Sequence, residues 1–286
     1  PFDIIRSSLF LGNLTAEVFD GNPVLYDNHN FNDAKGHEYV SGAYLNYKDK
    51  ACVISDIELL YLGDTDNDNL IKGEDNGWGK LNQHTIDLLL KGPLFSSGIS
   101  YDAEYAYQFG KYATNEIKDA YALHADLRRE FNLPLKPELK IEYNNASGDK
   151  DPGDGKTNTF IPAYQTTHAP YGIMDFFRWQ NMREAAASIK LNPGKNISLT
   201  PGVNCFWLDE KRDSWYKSDG TKVRTATTGD ISSYVGTEAS LVANYKINKY
   251  ISFESGYAHF FTGNYVKDTG PSNDADFAYA QTKICF

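Results

Sequence analysis

Apolar and polar residues alternate with a period of two along most of the chain, which predicts half-buried β-strands. In residues 237–247 (TEASLVANYKI), most apolar side chains fall on one face, whereas Glu238 and Lys246 fall on the other. Residues 250–261 (YISFESGYAHFF) repeat the pattern after the very short turn NK. The two segments are therefore predicted to form a β-hairpin.

The alternation predicts about twelve strands, separated by connections of two kinds. The strands are predicted near residues 7–19, 38–48, 52–62, 84–91, 99–109, 117–127, 139–143, 184–191, 197–208, 237–247, 250–261 and 275–286. Short turns such as 130–137 alternate with long polar loops such as 145–182. This arrangement is typical of outer-membrane barrels, and strands of about ten residues suit a tilted crossing of the bilayer. We therefore predict an all-β fold, an antiparallel transmembrane β-barrel, formed by one domain over residues 1–286.

A soluble β-sandwich that acts as a binding module would show a similar alternation of apolar and polar residues. Two features favour the membrane barrel. The apolar faces are rich in aromatic residues near their ends, as in the girdles at a membrane interface. The polar faces carry charges in the middle of the strands, which suits a water-filled lumen.

Composition excludes some classes of function. The chain has 286 residues and a formal net charge of −10. Its sequence contains no basic stripe of the kind that would indicate nucleic-acid binding. No apolar run approaches the roughly 18 residues of a membrane-spanning helix. The first residues lack the basic start and apolar stretch of a signal peptide. We therefore interpret the sequence as a mature chain or a fragment of a longer one.

Charged residues in the middle of the predicted strands are the candidates for lining the pore, where they would set selectivity rather than carry out chemistry. The acidic candidates are Asp56, Glu58, Asp87, Asp102, Glu104, Asp126, Glu142, Glu184, Glu238 and Glu254. The basic candidates are Lys118, Arg128, Lys140, Lys190, Lys246 and Lys283. Because the acidic candidates outnumber the basic ones, the lumen is predicted to repel a polyanion.

Three stretches resemble the alginate-export family of bacterial outer-membrane porins. They are YNNASGDKDPGDGKTNTFIPAY (143–164), THAPYGIMDFFRWQN (167–181) and YAHFFTGNYVKDTGPSNDADFAYAQTKICF (257–286), with weaker similarity at 105–112 and 206–213. The resemblance implies an outer-membrane β-barrel that passes polar or anionic material. Family members look larger, nearer eighteen strands, which implies that this chain matches their C-terminal part and that N-terminal strands are absent from it.

The predicted acidic lumen departs from the family pattern, because alginate exporters of this family are thought to carry a strongly basic pore. The resemblance therefore supports the fold and the outer-membrane location better than it supports alginate as the cargo. We predict passive passage of hydrated polar or charged solutes, which could include a polysaccharide. The alternative is a structural barrel that sheathes or scaffolds a partner, such as a periplasmic protein.

The acidic stretch DTDNDNLIKGED (64–75) resembles a calcium-binding loop. Asp64, Asp66 and Asp68 take its first, third and fifth positions, but the sixth position is not glycine and the twelfth is not glutamate. The stretch DKDPGDG (149–155) could also hold a cation, although its proline and glycines indicate a turn. The simpler interpretation of both is a solvated acidic loop, and no cofactor is predicted.

Residues 160–182 hold more large apolar side chains than a fully exposed loop would carry. We expect a packed structural loop that enters the mouth of the barrel as a partial plug or covers its rim. Arg178, within the sequence FFRW, is expected to stack on its aromatic neighbours.

The cysteines and histidines give no sign of a metal centre or an active site. Cys52, Cys205 and Cys285 show no metal-ligand spacing and no disulfide framework, and they are expected to pack as free thiols. The histidines show no HExxH or other short metal-binding spacing. The protein is therefore not predicted to be an enzyme, and a hydrolase built on a serine and His124 is the alternative.

The chain ends in an alternating segment, DADFAYAQTKICF (274–286), which is predicted to be the closing strand of the barrel. Counting back from Phe286 places Ile284 and Thr282 on the lipid face and Lys283 on the lumen face. A terminal aromatic residue on the outward face resembles the ends of outer-membrane barrels, which the barrel-assembly machinery reads. Phe286 is therefore the predicted contact with that machinery.

Overall fold

The computed structural model describes residues 1–25, 29, 32–49, 53–73, 76–165, 171–226 and 231–286. The elements in chain order are β1 (Phe2–Leu11), β2 (Leu14–Leu25), β3 (Asp33–Ala34), β4 (Glu38–Lys48), β5 (Asp56–Lys72), β6 (Trp78–Pro93), β7 (Ile99–Ala113), β8 (Asn115–Glu130), β9 (Glu138–Ala146), β10 (Lys156–Thr157), β11 (Met182–Gly194), β12 (Ile197–Trp207), β13 (Ser214–Tyr216), β14 (Lys222–Thr225), β15 (Tyr234–Lys246), β16 (Ile251–Thr262), α1 (Asn264–Thr269) and β17 (Ala275–Ile284). None of the helices in this part of the chain is long and apolar enough to cross a membrane.

The long strands form one antiparallel sheet in which neighbours along the chain are neighbours in space. The order along this path is β1-β2-β4-β5-β6-β7-β8-β9-β11-β12-β15-β16-β17, which is thirteen strands. The short strands β3 and β10 pair off the path with β2 and β8, and β13 pairs with β14 in a separate hairpin. Within the described residues, β1 and β17 are the two ends of the sheet and do not pair with each other.

The predicted alternation is present as two faces of different character. In β7, Tyr105, Tyr107 and Phe109 are exposed on one face, whereas Ala106 and Gln108 are buried on the other. Successive side chains in a strand point to opposite faces, so the difference extends along the sheet. We call the face that carries Ala106 and Gln108 the inner face, and the aromatic-rich face the outer face.

The prediction of about twelve strands was short by one, because the predicted strand at 7–19 is two strands, β1 and β2. Gly12 and Asn13 connect them, and Gly12 has φ of +59°, a left-handed conformation that favours glycine. This Gly-Asn pair is a hairpin signal that the alternation concealed. Most residues between the predicted strands at 52–62 and 84–91 also lie in strands, because β5 runs to Lys72 and β6 starts at Trp78.

A hydrophobic cluster lies against the inner face near the long loops. Phe206 and Phe260 contribute from the ends of β12 and β16, and Met182 contributes from the start of β11. Phe177 and Trp215 join them from the connections that follow β9 and β12. The sheet therefore buries apolar side chains on its inner face at one end, whereas its outer face keeps them exposed.

Candidate functional site

The pairing register places the predicted mid-strand charges together on the inner face, because cross-strand partners share a face. One row of partners is Asp56, Lys91, Asp102, Asp126, Glu142, Ala186, Asn204 and Glu238. The other predicted residues on this face are Glu58, Asp87, Glu104, Arg128, Lys140, Glu184, Lys190, Lys246, Glu254 and Lys283. Their role in lining a pore stays a prediction.

Lys118 is the exception, and its predicted position on the inner face was wrong. Lys118 is exposed next to the buried residue Ile117. The register of β7 with β8 shifts at this point, and Asp119 adopts φ of +52°. Such a bulge inserts a residue and reverses the alternation, so Ile117 and Ala120 both face inward although they are three positions apart.

An ion-pair network around one buried carboxylate joins β7, β8 and β9 on the inner face. The carboxylate of Asp126 is fully buried and contacts the Arg128 guanidinium, which also lies 3.1 Å from Asp102 Oδ2. Lys140 Nζ lies 3.6 Å from Asp126 Oδ2 and also contacts Glu142. Buried charges persist where partners compensate their lost hydration. Both cations of this network are therefore neutralised locally.

The neighbouring strands β4, β5 and β6 show the same pairing. Lys48 Nζ lies 3.5 Å from Asp56 Oδ2, and Lys91 Nζ lies 3.8 Å from Glu58 Oε1. The Tyr44 hydroxyl donates to Glu58 at 2.6 Å. By contrast, Lys190, Lys246 and Lys283 on the far strands have no ion pair within the described part of the chain.

The long connection between β9 and β11 lies against the inner face in its described parts, residues 147–165 and 171–181. Gln108 on β7 holds Ile161 twice: its Nε2 donates to the Ile161 carbonyl at 2.8 Å, and its Oε1 accepts from Ile161 N at 2.9 Å. Gln83 on β6 donates to the same carbonyl at 2.8 Å. The side-chain amides of two strands thus satisfy backbone groups of the connection, as burial requires. We call the described residues of this connection, 147–165 and 171–181, the inserted segment.

The inserted segment is held on the opposite side by Glu238 of β15. The Glu238 carboxylate accepts from Ile173 N at 2.7 Å and from Met174 N at 3.3 Å. Gly172 has φ of +74°, and a Cβ there would lie 2.5 Å from Glu238 Oε2. Both the conformation and the close approach require glycine. The segment therefore reaches from β6 and β7 across to β15.

Aromatic stacking fixes the C-terminal part of the inserted segment. Phe177 stacks on Phe206 with ring centroids 3.9 Å apart, and Phe176 packs edge-on against Phe260 at 5.2 Å. Trp215 Nε1 donates to the Phe176 carbonyl at 2.8 Å. Offset and edge-on ring pairs of this kind add to the stability gained by burial. The expected packed loop is therefore present as a cover over part of the inner face.

The predicted stacking of Arg178 on its aromatic neighbours was wrong. Its Nη2 donates to the Pro162 carbonyl at 2.9 Å, which ties two parts of the inserted segment together. Burial lowers the pKa of the Arg178 guanidinium. Residues 166–170, with His168 and the first part of the similarity at 167–181, lie outside the described residues.

The weak calcium candidates do not form the predicted loop. Asp64 and Asp66 lie in strand β5, and Asp64 accepts from the Tyr164 hydroxyl at 3.1 Å. Asp66 and Asp68 instead approach His37, and one ligand atom of each lies within 4.8 Å of the others. The twelfth position of the predicted loop, residue 75, lies outside the described residues.

The second acidic stretch, 149–155, is a hydrogen-bonded turn. Asp149 is buried and accepts from Asp151 N at 2.8 Å and from Asn158 N at 3.3 Å. Asp154 accepts from Lys156 N at 2.8 Å, and this bond is the main reason that the pKa of Asp154 is lowered. The carboxylates therefore organise the backbone here, as the turn residues indicated.

Among the described residues, the histidine and cysteines that the sequence analysis considered do not pair a nucleophile with a base on the inner face. His124 Nδ1 lies 2.7 Å from Asn144 Oδ1, and its Nε2 lies 3.4 Å from Asp126 Oδ2. Cys205 and Cys285 are free thiols, and Cys52 lies outside the described residues. His124 is therefore part of the polar network of β8 and β9.

Some residues of the site escaped the sequence reasoning. Gln83 and Gln108 hold the inserted segment, yet an uncharged amide on a predicted inner face gives no distinctive signal. Lys195 and Lys249 lie in turns and project charge at the end of the sheet, but strand alternation assigns no face to a turn residue. The signal that could have found the lysines is their proximity in sequence to Lys190 and Lys246.

Comparison with protein-family models identifies the family of this chain. The model of the protein family described as alginate export matches residues 2–280. No curated protein matches the sequence. The family-model match confirms the predicted family resemblance, which covers nearly the whole chain.

Solved porin structures are similar at low sequence identity. OccK11 (OpdR) from Pseudomonas aeruginosa has a TM-score of 0.54 and 12% identity, over 100% of this chain and 71% of that chain. The NanC porin has a TM-score of 0.36 and 9% identity over 88% and 96%, respectively. The siderophore receptor PirA from Pseudomonas aeruginosa has a TM-score of 0.47 and 11% identity over 91% and 41%. Of these three, OccK11 is similar enough to support the fold.

Proposed function

Because the chain belongs to the alginate export family of bacterial outer-membrane, porin-like proteins, we propose that it forms a passive channel that the inserted segment constricts. The protein is located in the outer membrane and is a porin-type channel. The solutes we propose are hydrated polar or charged molecules, which could include a polysaccharide.

The observation that carries the proposal is the inserted segment, which covers part of a charged inner face in a sheet with an apolar outer face. A polar lining lowers the barrier for hydrated solutes, and a constriction limits their size. The cover is incomplete: a cavity of about 200 Å³ remains beside Gly172 and Ile173, lined by Ser188, Thr200 and Ser240 among others. These hydroxyls suit hydrogen bonding to polar solutes.

A channel requires the sheet to close, and strand parity supports closure through additional strands. With thirteen antiparallel strands, β1 and β17 run in the same direction, so pairing them directly would be parallel. Antiparallel closure needs an odd number of further strands, which gives the even total found in bacterial barrels. We propose that these are the N-terminal strands that the family resemblance implies.

The test is single-channel conductance of the full-length protein in planar bilayers. Glu238→Gln removes an acceptor of the inserted segment, and the loss of such a charged hydrogen bond costs about 1.5–3 kcal/mol. We expect higher or noisier conductance from this variant than from the wild type. Glu254→Gln is the matched control, because Glu254 also lies on the inner face but bonds to Tyr279 and Gln281.

Two outcomes would contradict the proposal. Equal conductance of the wild type and both variants would show that the inserted segment does not constrict the path. A folded, membrane-inserted wild type without steady current would favour a barrel that sheathes a partner protein. Reversal potentials in a salt gradient would then measure the charge preference of any current, for which the acidic surplus on the inner face leads us to expect cations.

A further inference from the structure

A basic cleft opens at the short-turn end of the sheet, away from the inserted segment. It lies between the β11–β12 turn and the β15–β16 turn and has a volume of about 410 Å³. Its charged residues are Lys190, Lys195, Lys246 and Lys249, and none of the described residues that line it is acidic. Four asparagine side chains and two serine hydroxyls complete the polar lining. The cleft is thus rich in hydrogen-bond donors and carries charge of one sign.

The lysines of the cleft lack the carboxylate contacts that Arg128 and Lys140 make in the network of β7–β9. Lys190, Lys195, Lys246 and Lys249 are exposed and make no ion pair within the residues that the structure describes. Lys249 Nζ lies 4.7 Å from the ring centroid of Tyr250, a contact that leaves its charge in place. Like charges that share a cleft repel one another, so a bound anion would lower the energy of the cleft.

Backbone and side-chain hydrogen bonds hold the two turns in fixed positions. Lys246 N donates to the Asn196 carbonyl at 2.8 Å, which ties one turn to the other. Asn248 Oδ1 accepts from Tyr250 N at 2.8 Å and from Ile251 N at 3.0 Å. The backbone that presents the lysines is therefore organised in advance. Preorganisation lowers the entropic cost of binding a ligand.

We propose that this cleft binds a small multivalent oxyanion, one that carries two or more carboxylate or phosphate groups. Ammonium groups and amide N–H groups bind such oxygens through charge-assisted hydrogen bonds. One monovalent group would leave most of the lysine charge unneutralised, whereas the volume of the cleft admits several groups. The inference rests on the proposed function and deepens it, because it places an anion-binding site at one mouth of the channel.

The test is isothermal titration calorimetry of the full-length protein in detergent at low salt. Citrate tests the carboxylate source and pyrophosphate tests the phosphate source, with acetate as the monovalent comparison. We expect citrate, pyrophosphate or both to bind at least about tenfold more tightly than acetate. The affinity should fall steeply as salt is added, because the lysines are solvent-exposed.

Variants connect the binding to the cleft. Lys195→Gln/Lys249→Gln should weaken binding at least about tenfold, and both positions lie in turns, so the strands are left intact. Lys111→Gln/Lys118→Gln is the matched control, which removes the same charge near the opposite end of the sheet and should leave the affinity unchanged. Equal losses in both double variants, or no binding of either anion at millimolar concentration, would overturn the proposal.

The calorimetry and the conductance experiment test different proposals, so one can fail while the other succeeds. Binding that is lost in the cleft variant while conductance is absent in all variants would contradict the channel but support the anion site. A conducting protein that binds neither anion would support the channel and overturn the anion site.

Discussion

Two groups of cations on the inner face differ in whether they form ion pairs. In the network of β7–β9, Arg128 and Lys140 both contact the buried carboxylate of Asp126. In the cleft between the β11–β12 and β15–β16 turns, Lys190 and Lys246 have no such partner among the described residues. Both groups lie on the same face of the same sheet. The local electrostatic potential of the inner face therefore depends on which charges are paired, which a count of acidic and basic residues does not show.

The largest expected effect comes from breaking the paired group. Asp126→Asn removes a buried charge and leaves Arg128 and Lys140 with fewer partners, which we expect to destabilise the protein by about 3 kcal/mol. Heat or denaturant unfolding in detergent micelles measures the change. Lys246→Gln, in the unpaired group, should change the free energy of unfolding by less than about 0.5 kcal/mol. Equal effects of the two substitutions would contradict the distinction between the groups.

Asp213, in the connection between β12 and β13, is a buried carboxyl whose hydrogen-bond donors are neutral rather than cationic. It accepts from the Thr159 hydroxyl at 2.6 Å and from the Tyr216 hydroxyl at 2.8 Å. Burial raises the pKa of Asp213, and these hydrogen bonds oppose the shift without cancelling it. Asp213 is thus a buried carboxyl that forms no ion pair within the part of the chain that the structure describes.

The sign of the resulting pH dependence follows from the raised pKa. The folded state holds this proton more tightly than the unfolded state does. The contribution of Asp213 to stability is therefore fully present below the unfolded pKa, near 3.8, and is lost as pH rises through the folded pKa. The slope is at most about 1.4 kcal/mol per pH unit. Asp213→Asn should remove this slope from unfolding curves measured at a series of pH values, and an unchanged slope would contradict the assignment.

Local alternation was sufficient to predict which residues share a face, but pairing and bulges depend on non-local contacts. Residues 38–48 were predicted as a strand and form β4, and Asp126 and Lys246 were placed on the same face. The bulge at Asp119 moved Lys118 off that face, because one inserted residue reverses the alternation. Gln108 and Ile161 are separated by 53 residues in sequence, so no local pattern could predict that the inserted segment docks there.

The smallest expected effect comes from giving the unpaired lysines a partner. Ser252 on β16 has Lys246 on one neighbouring strand and Lys283 on the other as its direct cross-strand partners. Ser252→Asp would place a carboxylate between them, and opposite charges in such positions stabilise a sheet by about 0.2–1 kcal/mol. We expect the free energy of unfolding to rise by about 0.5 kcal/mol at low salt. This gain should disappear at about 1 M salt, where charges are screened.

Ser252→Asn is the matched control for this substitution, because it has nearly the same shape without the charge. It should give neither the gain in stability nor the dependence on salt. The aspartate variant should also bind citrate or pyrophosphate more weakly, since Ser252 lines the basic cleft. A gain in stability without any loss of anion binding would separate Lys246 from the anion site. Lys195 and Lys249, which lie in the turns, would then be the lysines that bind the anion.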